Sequence, residues 1–172
     1  MKKLLLCFLV SASLVACTNQ ETKTEAKTET TGSVTTTGPD VDLIKKSITA
    51  FADGDWATYA STYADTAKSY HNIWPSNTDT TVGVKIPVLI EGFKKQRELM
   101  DGKLTMGGTI FEVVTMPDGS KYGHVWVDFT WKNKKGEVGK SVLFDSYGIN
   151  KDGKISYEWP IYDTKDVVRL GN

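Results

Sequence analysis

Lys121-Tyr122-Gly123-His124-Val125-Trp126-Val127-Asp128-Phe129-Thr130-Trp131-Lys132 sets Val125, Val127, Phe129 and Trp131 at every second position, the period of a β-strand. Asn133-Lys134-Lys135-Gly136-Glu137 then supplies turn residues, and a second alternating run follows from Val138 to Asn150. Asp152-Gly153 turns the chain again into Lys154–Tyr162. Upstream, Lys103–Thr115 leads into Met116-Pro117-Asp118-Gly119. Four long strands joined by such turns read as an antiparallel meander. Gly107-Gly108 inside the first predicts a bulge or sharp bend.

The turns also predict the register. A two-residue turn at Asp152-Gly153 sets Lys151 opposite Lys154, and hence Tyr147 opposite Glu158 and Asp145 opposite Pro160. A five-residue loop sets Lys132 opposite Val138, and hence Phe129 opposite Ser141 and Val125 opposite Asp145. Because side chains alternate, one face carries Val125, Val127, Phe129, Trp131, Leu143, Asp145, Tyr147, Glu158, Pro160 and Tyr162. The other carries His124, Trp126, Asp128, Val142, Phe144, Tyr157, Trp159 and Ile161. The stripe from Val125 to Trp131 is the most continuous apolar run and marks the first face as the interior. The second face is also rich in aromatic residues, which a one-sided sheet would not show, so a covering partner is expected there.

Working back from the strands, Pro39-Asp40 reads as a helix start with Asp40 as the cap, and Val41, Ile44, Ile48 and Phe51 follow at helical spacing. Asp53-Gly54-Asp55 breaks this helix. Asp55 can cap a short second one that carries Trp56, Tyr59, Ala60 and Tyr63 on one side. A short strand is expected over Thr66 to Asn72, then a loop with Trp74-Pro75. A third helix is expected from about Lys85 to Met100, with Val88, Leu89, Phe93 and Leu99 as its apolar side and Pro87 in its first turn.

The N-terminus is of another kind. Met1-Lys2-Lys3 precedes an apolar run from Leu4 to Val15, too short to span a bilayer, which takes roughly 20 residues. It fits the core of a secretion signal. Leu14-Val15-Ala16-Cys17 resembles the bacterial lipobox, and that resemblance implies cleavage before Cys17 and acylation of the cysteine. Two or three acyl chains hold a protein on a membrane where one does not. Cys7 and Cys17 are the only cysteines, so no thiol or disulfide remains for the folded part. Thr18 after the cysteine, rather than Asp, leans towards the outer membrane. Residues 18–38 are Thr-, Glu- and Lys-rich with one large apolar residue, Val34, and read as a disordered tether. The expected organisation is therefore a signal peptide over 1–16, lipidated cysteine and tether over 17–39, one domain over 40–166 and a tail over 167–172. The whole chain has 21 basic and 21 acidic side chains; loss of Lys2 and Lys3 leaves it slightly acidic, so no nucleic acid partner is expected.

Asp53-Gly54-Asp55-Trp56, Tyr63-Ala64-Asp65, Trp131, Asp152-Gly153-Lys154-Ile155 and Tyr162-Asp163, in that order, resemble the signposts of the SnoaL-like group of the nuclear transport factor 2-like superfamily. The resemblance covers Asp40 to about Asp166. It implies an α+β domain in which three helices pack into a strongly curved antiparallel sheet around a cone-shaped pocket. It also implies dimers formed through the sheet. The fold hosts isomerases, cyclases, hydrolases and non-catalytic binders, so it does not by itself name a function. Aligned with the superfamily's ketosteroid isomerases, the proton-abstracting carboxylate falls on His71, the oxyanion-binding acid on Asp145 and the oxyanion tyrosine on Ser47. A histidine can serve as a base near neutral pH. Loss of the tyrosine removes a donor typically worth ~3–4 kcal/mol in such sites, so steroid isomerase activity is not expected.

The candidate site is thus His71 and Asp145 as an acid/base pair, with Trp56, Tyr59, Tyr63, Trp74, Phe129, Trp131, Tyr147, Glu158 and Tyr162 as ligand-binding residues. A carboxyl group inside an apolar cone must be paired, protonated or used. His124 with Asp128 is too sparse for a metal site, and no cofactor motif occurs. The reading favours a membrane-tethered binder of a small apolar or amphipathic molecule. An isomerase- or lyase-type enzyme using His71 and Asp145 is one alternative, and an interaction domain using the outer sheet face is another.

Overall fold

The three hairpins of the meander are built on one turn. In each, the first and fifth residues pair and the fourth is a glycine with positive φ: Met116 with Ser120 around Gly119, Asn133 with Glu137 around Gly136, and Asn150 with Lys154 around Gly153. These are three-residue loops with the glycine in the left-handed conformation that a side chain resists. A polar side chain locks each one. Asp118 accepts from Ser120 N, Asn133 Oδ1 from Lys135 N and Glu137 N, and Asn150 Oδ1 from Asp152 N and Lys154 N.

A computed structural model describes residues 31–70 and 82–166. In chain order the elements are β1 (Ser33–Thr35), α1 (Pro39–Asp53), α2 (Trp56–Ser61), β2 (Tyr63–Ser69), β3 (Val84–Lys85), α3 (Ile86–Arg97), β4 (Thr105–Thr115), β5 (Lys121–Lys132), β6 (Val138–Ile149) and β7 (Ile155–Tyr162). One sheet has the order β1-β4-β5-β6-β7-β2-β3. The fold is α+β, with three helices against a curled sheet, as expected.

The expected register of the meander holds, with Lys132 opposite Val138, Val125 opposite Asp145, Asp145 opposite Pro160 and Tyr147 opposite Glu158. It holds at the last hairpin for a reason the sequence reading missed. The turn has three residues rather than two, and an irregularity between Gly148/Tyr157 and Ile149/Ile155 restores the offset. Gly107-Gly108 does form a bulge, with both residues opposing Asp128 between the Met106–Phe129 and Thr109–Val127 pairs.

The sheet is mixed rather than wholly antiparallel, because β2 runs parallel to β7. β2 reaches the sheet from the helices and not through a hairpin, so no tight turn forces it to reverse. The strand starts at Tyr63, earlier than the expected Thr66. Residues 33–35, expected within the tether, pair with Val113–Thr115 at the β4 edge.

α1 is capped by Gly38 rather than by Asp40, with Pro39 in the first turn; Asp40 instead binds Lys121 Nζ at 2.6 Å. Its end is a Schellman closure, with Gly54 in the left-handed region and Asp55 N bonded to Ala50 O at 2.9 Å. Asp55 then caps α2 through Thr58 N, as its position suggested. In α3 the buried stripe is Ile86, Leu89, Ile90 and Phe93, whereas Val88 and Leu99 are exposed. Arg97 at the end of α3 donates to the carbonyls of Phe51 and Ala52, the last acceptors of α1, and lies over the rings of Phe51 and Trp56. Burial lowers its guanidinium to about 10.

α1 crosses directly over β5. A Cβ at Gly123 would lie 1.8 Å from Ile44 Cδ1, so the glycine makes room for the helix. We expect Gly123→Ala to lower stability by about 1–3 kcal/mol through overpacking. Urea denaturation should show Ile44→Val recovering part of this loss in the double variant, and simple additivity of the two changes would contradict the contact.

Candidate functional site

The interior of the sheet is not purely apolar. β6 presents Asp145 and Tyr147 inward and β7 presents Glu158, and both carboxyls are nearly inaccessible, at 3% and 2% exposure. Tyr147 is the direct partner of Glu158, which makes Asp145 and Glu158 diagonal neighbours on the concave face. The two acids have different surroundings. Glu158 Oε2 accepts from Tyr59 OH at 3.1 Å and from Tyr63 OH, and the Tyr63 hydroxyl also lies 2.9 Å from that of Tyr59. This cluster ties α2 and β2 to β7. Asp145 Oδ1 has no hydrogen-bond partner among the described residues. The hydroxyls of Ser47 and Ser69 are buried and unpartnered as well.

Ser47 is placed by its helix. Ile44 sits on Gly123, and the Phe51 ring meets Phe129 at 5.7 Å. The turn of α1 that bears Ser47 therefore lies between these contacts. Below it runs the part of β5 whose β6 partners are Asp145 and Leu143. Ser69, on β2, reaches the cluster from the other side and faces Glu158 without a well-formed hydrogen bond.

These surroundings set the protonation of the interior. Burial, and then the charge of Glu158, push the Asp145 carboxyl well above the usual carboxylate range, and Tyr147 with nearby backbone amides offsets only part of this. Burial also raises Glu158, but the phenols of Tyr63 and Tyr59 favour its charged form. Tyr59, Tyr63, Tyr147 and the half-buried Tyr162 are pushed well above the phenol range, chiefly by burial and by the charge of the acids. Burial thus favours the protonated form of both acids, more strongly for Asp145, while the phenols support charge on Glu158.

The expected site residues divide accordingly. Asp145, Glu158, Tyr59, Tyr63, Tyr147 and Tyr162 form one electrostatically linked group. Phe129 lies beside it in the aromatic layer. Trp56 stacks on Phe93 at 6.1 Å within the helix layer, under Arg97. Trp131 is buried at the end of β5 flat against Gly139, where a Cβ would come within 2.5 Å of its ring, and its fixed contacts are there rather than with the acids. His71 and Trp74 lie outside the described residues, as does Cys17. His124 pairs with Glu112 at 3.3 Å on the outer face rather than with Asp128. Among the described residues no cluster of three or more metal-ligating side chains occurs. The sequence reading missed Ser69, whose only signal was its place on an alternating strand, and Arg97, whose role depends on where α1 ends.

No protein-family model matches the chain, and no curated protein matches its sequence. Solved structures do match it. The BvnE pinacolase from Penicillium brevicompactum aligns with a TM-score of 0.59 and 9% identity over 77% of this chain and 88% of its own. A ketosteroid isomerase-like protein from Erwinia carotovora aligns at 0.52 and 17% identity over 69% of this chain and 89% of its own. A nuclear transport factor 2-like protein from Burkholderia xenovorans aligns at 0.52 and 14% identity over 78% and 96%. The chain therefore has the cone-shaped nuclear transport factor 2-like fold, which serves ligand binding and catalysis alike.

The raised acids have a consequence for stability. Asp145 and Glu158 bind protons more tightly in the folded chain than in the unfolded one, so their contribution is complete below about pH 4 and is lost as pH rises through the folded values. We expect Asp145→Asn to flatten this decline. Urea midpoints measured from pH 4 to pH 9 should show it, and an unchanged slope would mean that Asp145 does not hold the proton.

Proposed function

We propose that this protein is a lipoprotein, anchored through Cys17 to the outer membrane, whose cone holds a small apolar or amphipathic ligand without transforming it. The observation that carries the reading is the buried, unpartnered Oδ1 of Asp145. A polar atom left without a partner in an apolar interior costs about 1–3 kcal/mol, which a guest bonded to it would offset. The Ser47 and Ser69 hydroxyls add two more such groups.

Two features favour binding over catalysis. Ser47 stands where the isomerase comparison expects a tyrosine. The phenols best placed to act, Tyr59 and Tyr63, are both engaged with Glu158. Thr18 and the Thr-rich segment after Cys17 support a tethered domain at the outer membrane.

The test is native mass spectrometry of the untagged chain. A co-purified small molecule is expected, with occupancy reduced at least tenfold in Asp145→Leu. An empty spectrum, together with no binding across a metabolite panel, would sink the reading. Turnover of a panel member that is lost in Asp145→Asn would favour the enzyme instead.

The outer face supports a second copy of the chain as partner. β6 is the middle strand of seven. Trp126 on β5 and Trp159 and Ile161 on β7 flank its Phe144, and all three flanking side chains are more than two-fifths exposed. Such an arrangement suits a two-fold axis at β6, where each apolar flank meets the other flank of its mate. Sedimentation analysis should find a dimer that Trp126→Glu converts to monomer, and a monomeric parent chain would exclude this arrangement.

A further inference from the structure

Among the described residues, no positive charge balances the acids of the interior. Asp145 and Glu158 share the concave face, and Glu158 is balanced only by hydroxyl donors. Among the described residues no lysine, arginine or histidine forms an ion pair with either acid. The ion pairs lie elsewhere, as Lys121–Asp40, Lys103–Asp53, Lys94–Glu91 and His124–Glu112. Arg97, the cation packed into the helix layer, is bonded to the Phe51 and Ala52 carbonyls.

This shortage selects among guests. A carboxylate or phosphate would bring like charge against Glu158 where burial leaves little screening. A negative charge developing on a bound carbonyl oxygen would meet the same repulsion. A cation would meet two acids and the rings of Tyr59 and Tyr63 beside Glu158, which attract positive charge. We propose that the guest of this cone is an organic cation: a protonated amine on an apolar or aromatic body, its ammonium bonded to Asp145 Oδ1 and neighbouring Glu158.

The proposal rests on the ligand-binding reading above and names its chemical class. It has a proton-linked consequence. Burial and Glu158 disfavour charge on the Asp145 carboxyl and so favour a proton there. An ammonium reverses both influences, so binding near neutral pH expels that proton. Among the described residues, the other groups facing the acids are the hydroxyls of Tyr59 on α2, Tyr63 and Ser69 on β2, Tyr147 on β6 and Tyr162 on β7. All the phenols among them stay neutral in this range, so of the described groups it is the acids that supply the proton.

Three probes of one shape test it: 2-phenylethylamine, 2-phenylethanol and 3-phenylpropionate. They would be titrated by calorimetry into the full-length chain in two buffers of different ionisation enthalpy. The amine should bind at least tenfold more tightly than either of the others, with proton release. Asp145→Asn should weaken it at least tenfold and abolish the release, and Glu158→Gln should weaken it where Asp145→Asn fails to fold. Equal binding of the alcohol or the acid, no binding of the amine, or unchanged amine affinity in the folded variants would overturn the proposal. A co-purified ligand that proves neutral or acidic would overturn it too while leaving the ligand-binding reading standing; an empty interior that binds no small molecule would end both.

Discussion

Glu158 is buried in a register that lets the phenols of Tyr59 and Tyr63 reach it. The constraint matters because the sheet is apolar on both faces. A one-residue slip of β7 would turn Tyr157, Trp159 and Ile161 inward, and hydrophobicity alone would not oppose it strongly. The two phenol contacts oppose it, since the slip would leave the tyrosines without their acceptor inside the protein. The same contacts link helix α2 and strand β2 to the last strand of the chain. A polar interaction thus specifies which side of an ambiguous sheet becomes the interior.

Much of this was legible in the sequence, because a strand shows its period in its side chains. The interior stripe from Val125 to Trp131, the inward placement of Asp145, Tyr147 and Glu158, and the bulge at Gly107-Gly108 all follow from alternation and turn residues. What was hidden depends on contacts distant in the chain. Nothing local tells Tyr63–Ser69 to run parallel to Ile155–Tyr162, since strand direction follows from how the preceding helices cross the hollow. The last hairpin shows two local features cancelling. A loop longer than expected and a compensating irregularity left the distant pairs where a simpler turn would have put them. In α3 the buried stripe runs through Ile86, Leu89, Ile90 and Phe93, and the exposed Val88 and Leu99 obscured its first and third members.

The site was legible as a list of residues but not as an electrostatic unit. Alternation finds Asp145 and Glu158, yet it cannot say that two phenols from other elements meet Glu158 while Asp145 Oδ1 is left without a partner. That difference arises because α2 and β2 bring their tyrosines to one acid only. Trp56 packs on Phe93 and Tyr59, and Trp131 lies against Gly139 at the end of β5. Aromatic residues near a cone can line it or buttress it, and sequence does not separate the two.

The short pairing of Ser33–Thr35 with β4 changes how the domain meets mechanical load. Among the described residues, β1 is the first element that a pull from the N-terminal side would load, ahead of α1 and the buried cluster. Three residues of edge strand must give way before tension reaches the Gly38 cap and the helix lying over Gly123. β1 is thus the place where a tug on the chain would first cost pairing, at the sheet edge and away from the acids and their tyrosines.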